Sequence, residues 1–69
     1  MNKDNINKHI GEIYQQYRIQ NNLTQNQVAE LTGLEPRHIS QIERGMSKGS
    51  IDTLIKLCNA YQITPDIVL

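Results

Sequence analysis

Between Leu23 and Gly45 the chain reads LTQNQVAELTGLEPRHISQIERG, and the spacing of its apolar residues leaves little choice of backbone. Leu23, Val28, Ala29 and Leu31 mark the buried side of one short helix, and Ile39 and Ile42 that of another. The three-residue steps from Val28 to Leu31 and from Ile39 to Ile42 fit the helical period and not the two-residue alternation of a strand. Thr24 can cap the first of these helices, and Gln27 three residues on completes a capping box. Gly33 supplies the positive φ with which that helix ends sharply. Pro36 suits the first position of the second helix, where its missing N–H is not needed. Glu35 then falls at the cap, where serine or threonine is stronger. Gly45 ends the second helix. Two amphipathic helices joined at Thr32-Gly33-Leu34 are therefore predicted over about residues 24–44.

The flanking sequence keeps the same period. Asp4 or Asn5 can cap an opening helix that runs to about Asn21, with Ile6, Ile10, Ile13 and Tyr17 at helical spacing. Asn21-Asn22 ends it, because asparagine tolerates the left-handed conformation. Ser50 and Asp52 open a fourth helix carrying Ile51, Leu54, Ile55, Cys58 and Tyr61, and Thr64-Pro65-Asp66 opens a short fifth that reaches Leu69. The only aromatic residues are three tyrosines, and β-branched runs are absent. An all-α fold of five helices in one domain over residues 1–69 is predicted. At 69 residues the chain is near the lower limit for folding without staples. Its single cysteine, Cys58, excludes a disulfide framework and zinc-finger spacing, so the core must be helix against helix. A lone thiol, no signal peptide and no long apolar run point to a reducing, cytoplasmic location.

Helices joined by so tight a turn form the helix-turn-helix arrangement, whose second helix is commonly laid into the major groove of DNA. The stretch strongly resembles the Cro and lambda-repressor-like family of regulators, also called the Xre family. The matching residues are Leu23-Thr24-Gln25, Val28-Ala29, Gly33, Ile39-Ser40, Ile42-Glu43 and Gly45, and Ser50, Leu54, Leu57 and Ala60 continue the pattern. The resemblance covers residues 6–69. It implies a double-stranded DNA partner, a regulator of transcription that is most often a repressor, and a homodimer on a two-fold symmetric operator. By alignment the base-reading positions fall on Pro36, Arg37, Ser40 and Gln41. The resemblance also gives Gln25 a phosphate-clamping role, with Asn26 beside it, and pairs Glu43 with Arg18 near the end of the opening helix. That pair would lock the recognition helix and turn Arg18 towards the phosphates.

A helical wheel gives this surface its own support. Ile39 and Ile42 lie within about 60° of each other, whereas Pro36, Arg37, Ser40, Gln41 and Arg44 occupy an arc of about 140° on the other side. Arg37 can read guanine O6 and N7, and Gln41 adenine N6 and N7. Pro36 departs from the polar residue of many relatives and offers only apolar contact. Arg44 and Lys48 flank the loop after the recognition helix and would supply backbone charge. The plain alternative for each of these side chains is a solvated face. Glu35 is less comfortable: an acid at the DNA edge repels phosphate, although it can accept from cytosine N4.

Seven basic and seven acidic residues cancel. Most DNA-binding domains carry a positive surplus that drives counterion release, so weak non-specific affinity is expected here, with specificity supplied by base contacts and dimerisation. The neutral charge, Glu35 and Pro36 also suit a second reading. That is a protein-interaction module, or an antitoxin or controller with an additional protein partner, on the same fold.

Other residues have simple explanations. Cys58 lies on an apolar stripe and is expected in the core, not in redox sensing. His9 and His38 have no cysteine or carboxylate at ligand spacing, so neither metal nor cofactor is expected. No nucleophile–base constellation appears, and an enzyme is not expected. The last three residues, Ile67, Val68 and Leu69, cannot all face inward on one helical turn. Together they are expected near the two-fold axis of the dimer, a region that often forms the dimer contact in the resembling family.

Overall fold

The computed structural model describes residues 3–68, which form α1 (Lys3–Gln20), α2 (Gln25–Thr32), α3 (Pro36–Glu43), α4 (Ile51–Tyr61) and α5 (Pro65–Val68). The expected five-helix architecture is thus present. None of the described helices is long and apolar enough to cross a membrane. α1 begins at Lys3, so Asp4 and Asn5 lie within its first turn and do not precede it as caps.

The local signals around α2 and α3 act as their chemistry dictates. Thr24 Oγ1 accepts from the Gln27 N–H at 3.1 Å, and Gln27 Oε1 accepts from the Thr24 N–H at 2.8 Å, which closes the capping box. Gly33 adopts φ 77°, and its N–H bonds the Ala29 carbonyl. The turn is braced a second time by Thr32, whose hydroxyl donates to the Val28 carbonyl at 2.7 Å and accepts from the Leu34 N–H at 3.2 Å. Pro36 stands at the start of α3, and Glu35 at its cap makes no side-chain bond to the helix. Ser50 caps α4 by accepting from the Thr53 N–H. Asn22 turns the chain out of α1 in the left-handed conformation, at φ 58°.

These elements pack around Tyr14, Val28, Ile39, Ile42, Leu57, Cys58, Tyr61 and Val68. α1 lies against α3, α2 against α3 and α4, and α5 closes the end formed by α1 and α4. The rings of Tyr14 and Tyr61 meet with centroids 6.3 Å apart. Several stripes are displaced from their expected positions. The axis of the buried face of α1 is Gly11 and Tyr14; Ile10, Ile13 and Tyr17 flank it, and Ile6 is exposed. On α2, Val28 and Ala29 set the buried arc, and Leu31 sits about 60° beyond its edge. Leu31 is accordingly 64 % exposed and not part of the core face. α4 buries Thr53, Leu57, Cys58 and Tyr61, which turns Ile51 and Ile55 outward. α5 directs Val68 into the core, at 5 % exposure, and leaves Ile67 at the surface. Within the protomer Val68 thus closes the core and Ile67 is the exposed one of the two, while Leu69 lies outside the described residues.

Gly11 explains how α1 comes so close to the end of α3. A Cβ at this position would stand against the carbonyl oxygens of Ile42 and Glu43, backbone atoms that cannot swing aside. An exposed helical Gly→Ala exchange stabilises by about 1 kcal/mol. Gly11→Ala should instead destabilise by about 1–3 kcal/mol, the usual cost of overpacking. Chemical denaturation of the two proteins measures the sign, and a gain in stability would show that the two helices are not in close contact.

Candidate nucleic-acid interface

The position of α3 is fixed by a polar cluster beneath its last turn. Glu43 is buried, its side chain only 3 % exposed, against the 13 % exposed Arg18 of α1. Arg18 Nε donates to Glu43 Oε2 at 2.7 Å and Arg18 Nη2 to Glu43 Oε1 at 3.1 Å, a bidentate fork. The third guanidinium nitrogen, Nη1, donates to the Leu23 carbonyl at 2.9 Å, in the segment that leads into α2. Gln25, the first residue of α2, also joins: its amide nitrogen donates to Glu43 Oε1 at 3.1 Å. A carboxylate only accepts, so the amide must face it with nitrogen. Three helices therefore converge on one carboxylate. The Glu43 bond raises the pKa of Arg18, outweighing the burial that lowers it. All three guanidinium nitrogens bond inside the protein, so Arg18 serves the lock and is not turned out towards phosphate.

The tyrosine beside this cluster is fully protonated at neutral pH. Burial, and then the neighbouring Glu43 carboxylate, push the Tyr61 phenol up, with Arg18 acting in the opposite sense. Its hydroxyl is buried and has no hydrogen-bond partner among the described residues. Burial likewise pushes the Cys58 thiol up, which suits a packed side chain and not a reactive thiolate.

With its inner face locked, α3 presents the opposite face to solvent. Arg37 and Gln41, one turn apart, line a single open depression with Gly33, Leu34, Glu35 and His38. Pro36 is exposed at the helix start and Ser40 half-buried, and neither lines that depression. Asn26 and Arg44 are exposed, at the start of α2 and the end of α3. Lys48 is exposed on the following loop but borders a different cleft, with Ile10, Tyr14, Ile51, Leu54 and Val68. The structure thus gathers Arg37 with Gln41, and Arg18 with Glu43 and Gln25, and leaves Lys48 apart. The sequence reading missed the bond from Gln25 to Glu43. No periodicity could have signalled it, since the two residues meet only when α2 and α3 cross.

The chain matches the helix-turn-helix family model over residues 15–68 and belongs to that family, in its Cro and Xre form. It is thereby a DNA-binding regulator of transcription. Among solved structures it resembles the restriction-modification controller protein C.AhdI from Aeromonas hydrophila, with a TM-score of 0.85 and 28 % identity, covering 94 % of this chain and 97 % of that one. It shares its fold with the clp gene regulator ClgR from Corynebacterium glutamicum, again with a TM-score of 0.85, at 24 % identity and over 91 % of this chain and 67 % of that one. No curated protein matches it significantly.

The lock predicts an asymmetric pair of variants. Arg18→Ala leaves a buried carboxylate facing only Gln25 and should cost about 3–5 kcal/mol. Glu43→Ala leaves a guanidinium that can still reach water and should cost less. The double variant should be less destabilised than the sum of the two, by about 0.5–3 kcal/mol. Strict additivity in urea denaturation would mean that the two side chains act independently.

Proposed function

We propose that the protein is a sequence-specific repressor that binds a palindromic operator as a homodimer. The observation that carries this reading is the pairing of Arg37 and Gln41 on one open depression of a helix whose other face is locked. Held in that way, the two side chains can address neighbouring base edges without reorganising the domain, Arg37 at a guanine and Gln41 at an adenine. Pro36 and Ser40 extend the base-facing surface by apolar and hydroxyl contact. Gln25, Asn26, Arg44 and Lys48 supply phosphate contacts on either side. Unpaired N–H groups at the start of α2 favour an anion there, and the bond to Glu43 holds Gln25 in place. DNA of this kind is met in the cytoplasm, which suits a thiol kept reduced.

Dimerisation follows from the charge balance. A neutral domain draws little affinity from counterion release, so a second half-site has to supply it. The protomer measures 32 × 23 × 21 Å, and two copies side by side can set equivalent helices about 34–36 Å apart, one turn of DNA. The surface suited to the contact is wider than α5. Ile67 is exposed, and Ile51 and Ile55 stand out from the neighbouring α4. A controller with an additional protein partner is the second reading, and its controller part is favoured by the match along nearly all of the controller protein C.AhdI.

Selection from random-sequence DNA should enrich a palindrome. Arg37→Ala and Gln41→Ala should each weaken binding to it by about 1–3 kcal/mol and relax one base position. No enrichment at low salt would favour the protein-interaction reading. In sedimentation over a range of concentrations the wild type should dimerise and Ile67→Asp should not. A wild type that stays monomeric both free and on its operator would sink the dimer.

A further inference from the structure

Glu35 occupies the cap of α3 and lines the same open depression as Arg37, His38 and Gln41. Its carboxylate accepts no N–H from the helix it precedes and takes part in neither described ion pair. The side chain is exposed. A carboxylate is acceptor-only and gains nothing from phosphate. At a recognition helix whose first residues meet base edges, however, it stands where amino groups are presented. Cytosine offers the N4 amino group in the major groove, whereas guanine and thymine offer only acceptors there. Adenine has an amino group too, but N7 beside it repels the second carboxylate oxygen. Arg37 has the opposite polarity, two residues on and in the same depression.

Resting on the DNA-binding reading above, we propose that Glu35 determines specificity by accepting from the N4 amino group of a cytosine next to the base pair that Arg37 reads. On that strand it excludes guanine and thymine by lone-pair repulsion. The negative charge weakens binding to every stretch of phosphate and is offset only where the amino group is present. Glu35 therefore widens the ratio of specific to non-specific affinity in a domain that has no positive surplus.

The test compares selection from random-sequence DNA by the wild type, Glu35→Gln and Glu35→Ala, followed by titration of the selected duplex and of one with that cytosine replaced. The wild-type motif should hold a cytosine adjacent to the guanine whose preference is lost in Arg37→Ala. Discrimination against the replaced base should be about 5- to 150-fold in the wild type and near unity in Glu35→Ala. Glu35→Ala should also bind unrelated DNA more tightly at low salt, while its melting temperature stays close to wild type. A wild-type motif without that cytosine would overturn the assignment. So would a Glu35→Ala that tightens all duplexes equally, which is simple repulsion, or weakens all equally, which is a capping role. If the wild type enriches no motif at all, the DNA reading falls and this assignment with it.

Discussion

The carboxylate of Glu43 is the point on which the domain turns. Burying an ionised group is costly unless its hydrogen-bonding capacity is met, and three donors from two other helices meet it here. Each donor arrives from an element that must be correctly placed: Arg18 from the last turn of α1, Gln25 from the first residue of α2. The same guanidinium reaches the Leu23 carbonyl and fixes the approach to α2. An apolar contact tolerates sliding, but a bidentate fork does not. The cluster thus sets the angle of α3 against the rest of the domain, and the surface that α3 shows to solvent inherits that setting.

The turn between α2 and α3 adds a second restraint of a different kind. Gly33 gives the backbone its left-handed step, and the Thr32 hydroxyl bonds on both sides of it, to Val28 behind and Leu34 ahead. The two helices are consequently one rigid piece, and so is the depression that spans the turn and the outer face of α3. Preorganisation of this kind reduces the ordering cost of binding, which matters most where charge contributes little.

Local chemistry was the legible part of the sequence. The capping box at Thr24 and Gln27, the turn glycine, the proline at the start of α3 and the serine cap of α4 act over a few residues, and each appears as its residue type demands. Ile39 and Ile42 were legible because both fall within a narrow arc of one short helix. The buried faces of α1, α2 and α4 were less so. Apolar side chains there exceed the room in so small a core, and geometry decides which are excluded. Leu31, Ile51 and Ile55 fall outside the arcs that pack and lie outward, whereas Gly11 lies inward where α1 meets the end of α3 and Thr53 lies inward in the first turn of α4, beside Gly49. On the functional side, the pairing of Arg18 with Glu43 was implied by family resemblance. The inward orientation of Arg18 and the recruitment of Gln25 are products of helix crossing, on which residue spacing is silent.

Cys58 has a use that its packing creates. It is the one thiol of the chain, almost wholly enclosed between α4 and its neighbours, and burial holds it protonated. Thiol reagents attack the exposed thiolate, so this side chain is silent as long as the helices remain together. Its labelling rate is then a clock for opening of the core, read at a side chain the protein already carries. Whatever binds the closed domain, whether DNA or a second protomer, slows that clock in proportion to how firmly it holds the helices shut.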